Sequence, residues 1–338
     1  MAEAVFSRPT FLAATIAASI LSASACSGND PAVVEAERQG TTAQAVTASA
    51  TILAAGDFAS NSSTAGIVQT EISGNSGIKL IAVGDMSYAS PYASNYPWAG
   101  WASRTFPVMG NHEFDSVAGT GGQQPFDLFN GTNAAGNLKF PAITGANGVA
   151  TYDFTYTYPI APGWLLAVVN TGVDCDEQSC TAQGTKLSNE IASFRSANGG
   201  HGCVIVAMHT ARWSTMFSSD SDNLPWAPSV TPIWSAAVSS KADIVLQGHV
   251  HVYEEFDKLD ENGAYSATGA KLFTVGSGGR GQVKPPQSNI SSSVLVTSKP
   301  SPVNGVLKLG LYAGSYGYHF ETAATSGAPA SSKACNVP

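Results

Sequence analysis

The chain has 338 residues, 43% of them apolar and 12% charged, with 34 glycines, a composition that suits one large globular domain with long connecting loops. Its formal charge is -8, from 16 basic and 24 acidic residues, and the sequence holds no Lys/Arg-rich run. That balance argues against a partner bound through a phosphate backbone or an anionic membrane surface.

The first 26 residues place Arg8 ahead of an apolar stretch that ends in small residues, the layout of an export signal. The stretch is shorter than the roughly 20 apolar residues of a membrane-spanning helix. Ala23-Ser24-Ala25 fits a small-x-small cleavage site, so residues 1–25 are read as a signal peptide and the small, polar, aperiodic residues 26–50 as a flexible linker. Cys26 also resembles the lipid-modified cysteine of a bacterial lipoprotein, although Ala23 stands where leucine is usual. A lipid tether at Cys26 and an untethered chain both stay open, and the expected location is periplasmic, cell-surface or secreted. In such an oxidising compartment the remaining cysteines, Cys175, Cys180, Cys203 and Cys335, suit disulfides. The polar loop VDCDEQSC suits a local bridge, but four cysteines allow three pairings and the sequence does not choose.

The folded part is predicted to start near Thr51 and to run to residue 325, with 326–338 as a C-terminal tail. Short apolar runs predict buried strands at 51–55, 79–83, 164–170, 203–208, 243–247 and 271–275. Between them, residues 64–73, 185–198 and 232–241 carry apolar residues at helical spacing. This alternation predicts an α/β domain. Tyr152, Phe154, Tyr156 and Tyr158 alternate with polar residues as in an antiparallel strand, and residues 305–320 read as a closing hairpin, which makes the sheets mixed. Segments 116–150 and 281–304, rich in Gly, Asn, Ser and Pro, are read as long loops around the mouth of a site.

Five polar clusters follow apolar strands almost directly: AAGDFA (54–59), AVGDMSY (82–88), PVMGNHEF (107–114), VAMH (206–209) and QGHVH (247–251). Ligands of open α/β sheets bind beyond the carboxyl ends of strands, so these clusters are expected to share one crevice. Four of the six histidines, His112, His209, His249 and His251, fall within them. Residues two apart in an extended segment face one side about 6.6 Å apart, so His249 and His251 are expected to serve neighbouring ions. Taken singly, a Gly-Asp after a strand reads as a turn or cap, and a lone histidine or Tyr88 as packing; the set of five points to metal ligation.

In this order the clusters resemble the motifs of the calcineurin-like metallophosphoesterases, and more narrowly of the purple acid phosphatase branch with its secreted bacterial relatives. Asp57-Phe58-Ala59 lacks the histidine that most of the superfamily carries two residues after its first aspartate, and Tyr88 in GDMSY stands in as the purple branch's ligand. KADIVLQGHVHVYEEF, VGSGGR and GVLKLGLYAGSY extend the likeness over about residues 51–320. The resemblance implies a four-layer α/β/β/α sandwich with two mixed sheets. It implies one metal on Asp57, Asp85, Tyr88 and His251, and a second on Asp85, Asn111, His209 and His249, bridged by Asp85. Two carboxylates and a phenolate suit Fe(III), whereas imidazoles and an amide carbonyl suit divalent Zn, Fe or Mn.

Such a pair of ions activates water and clamps phosphoryl oxygens, which implies hydrolysis of a small phosphate ester, with Asn111, His112 and Arg212 binding substrate and His112 as general acid. For His112 an alternative is the orientation of a ligand by hydrogen bond; for Arg212 it is an exposed loop arginine. Glu113 and Glu254 are read as acceptors that brace these loops. Phosphomonoester hydrolysis is the leading reading; diester or nucleotide hydrolysis uses the same site, and a non-catalytic surface binding lipoprotein is the contrasting class. Departures from the family pattern are Thr210, where many relatives have a second histidine, and Ser60, where a cysteine is frequent. The oligomeric state is not legible, and residues 27–50 are too few for the β-sandwich that precedes the plant catalytic domain.

Overall fold

The computed structural model describes residues 48–337 apart from 60–61, 116–121, 133–141, 145–149, 153, 173–179, 219–226, 282–285, 300–302 and 330–332. The expected signal, the linker as far as residue 47, Cys26, Ser60 and Cys175 lie outside the described residues.

The apolar runs become strands because both of their faces are covered, so they need no polar alternation. In chain order these are β1 (Ala50–Ala55), β2 (Lys79–Val83), β3 (Thr105–Val108), β4 (Tyr156–Ala161), β5 (Trp164–Val168), β6 (Cys203–Ala207) and β7 (Ile244–Gln247). There follow β8 (Tyr253–Leu259), β9 (Ala270–Val275), β10 (Leu295–Lys299), β11 (Gly305–Tyr312), β12 (Ser315–Thr322) and β13 (Lys333–Ala334). One sheet has the order β13-β12-β11-β1-β2-β3, the other β10-β8-β9-β7-β6-β5-β4. Strands β1, β2 and β3 are mutually parallel, as are β5, β6, β7 and β9, while the outer hairpins run antiparallel. Both sheets are therefore mixed.

Period-two alternation sorts each strand between two cores. Ile52, Ala54, Ile81 and Val83 of the first sheet meet Leu166, Val168, Ile205 and Leu246 of the second between the sheets. On the outer faces, Leu53, Ala55 and Leu80 pack on Val68 and Ile72 of helix α1 (Ser63–Gly74). Across the molecule, Val204, Val206 and Val245 pack on Leu187 and Ile191 of one helix and on Ile233 and Trp234 of another. The result is the expected α/β/β/α sandwich.

Some expected boundaries move. The segment expected as a loop over 116–150 contains helix α2 (Gln123–Thr132) and a short ribbon pairing Ala142–Thr144 with Ala150–Tyr152. Pro, Gly and Asn in QQPFDLFNGT hide that helix from a propensity reading. The loop expected over 281–304 likewise holds β10. Helix α3 (Cys180–Ala197) starts five residues earlier than its apolar spacing predicts, through Gly184. A Cβ there would lie 2.7 Å from the Pro232 carbonyl oxygen of α4 (Thr231–Ser239), so this glycine serves a close helix contact and does not break the helix. The tyrosine-rich strand begins only at Tyr156, and Phe154 turns fully into the core.

Residues beyond 325 are fastened to the sandwich. Lys333–Ala334 pairs with β12, Cys335 is bonded to Cys203 at the start of β6, and Asn336 donates to the Ala242 and Gly269 carbonyls. Cys180 is also disulfide-bonded. The Cys203–Cys335 bridge spans 132 residues, so it removes much loop entropy from the unfolded chain. Cys335→Ser is expected to lower the unfolding free energy by about 2–4 kcal/mol, measured by denaturant titration under non-reducing conditions.

Candidate metal centre

The loops that follow β1, β2, β3, β6 and β7 emerge at the carboxyl ends of parallel strands, and four of their side chains meet there with almost no solvent contact. Asp57 and His209 are fully buried, Asp85 is 2% exposed and His249 7%. Asp57, Asp85 and His249 all have left-handed backbone, with φ of 61°, 50° and 67°. Such conformations cost of order 1–3 kcal/mol each in residues with a Cβ. Gly84, at φ 80°, lets the β2 loop pass under His209; a Cβ there would lie 2.1 Å from His209 Nδ1.

Hydrogen bonds settle which imidazole nitrogen carries a proton. His209 Nδ1 donates to the Val83 carbonyl at 2.9 Å, which leaves the Nε2 lone pair facing Asp85 Oδ1 at 3.4 Å and His249 Nδ1 at 3.2 Å. His251 Nδ1 donates to the Gly281 carbonyl at 3.1 Å, which turns Nε2 towards Asp57 Oδ1 at 3.4 Å. Tyr88 Oη lies 3.4 Å from the same Asp57 oxygen. Ligand atoms of Asp85, His209 and His249 all fall within 4.8 Å of one another. A lone pair facing a carboxylate oxygen is stable only with a positive charge between them, a proton or a metal ion. Separations near 3.4 Å match ligands bound at about 2.1 Å and tetrahedral angles.

The protonation balance agrees. Burial and then the neighbouring Asp57 push Asp85 up to about 7. Burial acts to raise Asp57 too, but the His251 hydrogen bond and the nearby imidazoles outweigh it and hold Asp57 below its usual range. Burial, reinforced by His209, keeps His249 well below the ordinary imidazole range, so it presents a neutral ring. Tyr88 is held as a phenol by burial and by Asp85 and Asp57; only a strong local cation would free its proton. Asn111 Oδ1 is buried with no hydrogen-bond partner among the described residues. Asp85, His209 and His249 could together hold a metal ion, and Asp57, Tyr88 and His251 converge beside them.

His249 and His251 do not sit in the extended segment expected for them. Val250 N–H donates to the Gly248 carbonyl and Val252 N–H to that of Val250, tight turns that aim the two rings into the cluster by curvature. His112 joins from the β3 loop: its backbone N–H donates to Asp85 Oδ1 at 3.0 Å, and its ring packs 4.4 Å from that of Tyr88. Arg212 is not brought into the cluster by any described contact. Its guanidinium stacks 3.7 Å from the Trp213 ring, and its Nε is buried without a hydrogen-bond partner among the described residues. Thr210, in the place of the absent histidine, is buried and donates to the Thr171 carbonyl at 2.9 Å, so it braces a loop.

Comparison with protein-family models and with curated proteins gives no match. Solved structures do match: purple acid phosphatase PPD1 from yellow lupin seeds superposes with a TM-score of 0.60 at 17% identity, over 85% of this chain and 53% of that one. GAP50, the anchor in the inner membrane complex of Plasmodium, gives 0.53 at 15% identity, over 86% and 90%. PhoD gives 0.50 at 10% identity, over 81% and 66%. This chain has the metallophosphoesterase fold. It spans about half the length of the lupin enzyme. At these identities the likeness is one of fold, and the chemistry depends on this chain's own side chains.

Two residues at the centre escape a sequence reading. Asp115 Oδ2 lies 2.7 Å from His112 Nδ1 and orients that ring. Arg280 lies with Cζ 4.2 Å from the Tyr88 ring centre. The spacing of Asp115, three residues after His112, is the one signal available for the first; Arg280 had only the VGSGGR likeness. Glu113 performs the bracing expected of it: Oε2 accepts from the Asp85 and Gly110 N–H groups at 2.8 and 2.7 Å, and Oε1 from the Met86 N–H and Tyr92 hydroxyl at 2.8 and 2.9 Å. Glu254 does the same for Ser214 and Thr215. Glu113→Ala leaves four buried donors unpaired and is expected to cost at least about 3 kcal/mol of stability, read as a fall in thermal midpoint with weakened metal retention.

Proposed function

We propose that the chain is a binuclear metal-dependent phosphatase that hydrolyses small phosphate monoesters. The observation that carries this reading is the burial of Asp57 and Asp85 opposite imidazole nitrogens, an arrangement that calls for a positive charge, which bound metal ions would supply. The lupin protein superposed on this chain is a purple acid phosphatase, which supports the same chemistry. Asp57, Asp85, Tyr88 and His251 would hold Fe(III), and Asp85, Asn111, His209 and His249 a divalent Zn, Fe or Mn, following the hardness of each donor set. Bound there, the ions supply Lewis acidity and neutralise phosphoryl charge.

The chain's own residues supply the rest. Water adds to phosphorus as the P–O bond to the alcohol breaks, and the departing oxygen takes a proton. His112 is the proton donor: Asp115 holds Nδ1, which leaves Nε2 to deliver the proton, and Nε2 lies 3.8 Å from Asp85 Oδ2 beside the metal ligands. The ring is partly open to solvent, with 35% of its side chain exposed, so it can be reprotonated after each turnover. The same chain is read as exported; the Cys203–Cys335 disulfide supports an oxidising compartment.

Purified protein is expected to hold two metal ions per chain and to turn over aryl phosphate faster than bis-aryl phosphate, with Asp85→Ala losing about 100-fold or more of that activity. Bound metal with no turnover of either ester would sink the enzyme reading and favour an anchoring role like that of GAP50. Faster diester turnover would replace the monoester assignment.

Tyr88 gives an independent optical test. Iron-loaded protein is expected to show a visible phenolate-to-iron absorption band that Tyr88→Phe abolishes at unchanged iron content. A band of equal strength in that variant would remove Tyr88 from the ligand set.

A further inference from the structure

The turn Gly276–Gly281 carries an arginine that the proposed phosphatase chemistry does not yet use. Its backbone is stitched to the Asp57 loop: Gly278 N–H donates to the Gly56 carbonyl at 2.8 Å, Ala59 N–H to that of Gly278 at 3.2 Å, and Arg280 N–H to that of Asp57 at 3.1 Å. The Gly281 carbonyl accepts from His251 at 3.1 Å. Arg280 therefore starts from a backbone position as well defined as that of the metal-site residues, yet its side chain is exposed. The guanidinium lies over Tyr88, whose ring also packs against His112.

We propose that Arg280 grips a non-bridging oxygen of the phosphoryl group and selects dianionic monoesters over monoanionic diesters. The assignment rests on the phosphatase reading of the same site. A monoester carries a second negative charge near neutral pH, since that proton is lost at about pH 6, whereas a diester lacks it. A guanidinium fork matches a phosphate oxygen pair and forms short, charge-assisted hydrogen bonds. In a chain of net charge -8, one fixed cation at the mouth also offsets the long-range repulsion of an anionic substrate. Arg212, the alternative grip, stacks on Trp213, and no described contact brings it to the cluster, whereas Arg280 lies against Tyr88. Stacking on Tyr88 holds the Arg280 side chain over the site and limits the rotamer freedom lost when phosphate binds.

The test uses the metal-loaded chain, with inorganic phosphate binding read by calorimetry and aryl and bis-aryl phosphate turnover read in parallel. Arg280→Ala is expected to weaken phosphate binding about tenfold or more, to place its monoester loss mainly in KM, and to lower the monoester-to-diester ratio of kcat/KM about fivefold or more. Arg280→Gln keeps a planar group over Tyr88 without the charge and should match the alanine variant, whereas Arg280→Lys should regain part of the affinity. Unchanged phosphate affinity in Arg280→Gln at full metal content overturns the assignment, as does a larger loss in Arg212→Ala. If wild type binds phosphate through Arg280 but hydrolyses neither ester, the grip is supported and the phosphatase reading falls.

Discussion

Two carboxylates, Asp57 and Asp85, lie almost out of reach of water at the end of a hydrophobic sandwich, and the rest of the architecture accommodates that burial. Removing an ionised carboxylate from water costs several kcal/mol unless charges or donors replace the lost hydration. Asp57 gains the His249 N–H at 2.9 Å through Oδ2, and Asp85 gains the His112 N–H at 3.0 Å through Oδ1. These donors are backbone groups of the very loops that present the imidazoles. The loops are therefore ordered around the carboxylates as much as around any ion.

Glu113 extends the same principle one step outward. Its carboxylate is fully buried, raised to about 7 first by burial and then by Asp85, and it still accepts three backbone N–H groups and one hydroxyl. It ties the loop after β2 to the loop after β3. The loop after β6 is fixed instead by Thr171, whose hydroxyl oxygen accepts from the His209 and Thr210 N–H groups at 3.0 and 2.9 Å. The loop after β7 is fixed by Asp57 itself. Each of these loops is thus tied to a neighbour in a different segment, the arrangement that turns a set of polar residues into a preorganised site.

Much of this was legible in the chain before folding. The strand runs from TILAA to KLFTV were recognisable because strands buried on both faces lose polar alternation and become short apolar blocks bounded by turn residues. Asp57, Asp85, Asn111, His209, His249 and His251 stood out because they lie in polar clusters that follow such blocks, and Tyr88 only through the likeness of GDMSY to the purple branch. Helix α2 was not, since Gly, Pro and Asn dominate its local signal and only packing, with Phe129 buried, stabilises it. Arg212 read as a phosphate grip from its place near His209, and its guanidinium stacks on Trp213.

The amino-acid sequence by itself determined the donor chemistry and the strand ends that carry it, because side-chain type and hydrophobic periodicity are local properties of the chain. Tertiary structure alone decided the rest: the proton positions on His209 and His251, the pairing of Asp115 with His112, the attachment of Cys335 to Cys203, and the approach of Arg280 to Tyr88. Most of these join segments distant in the chain, 192 residues apart in the case of Arg280 and Tyr88. Strand order and inter-loop spacing set such distances, and both arise from packing between sheets that no local pattern encodes.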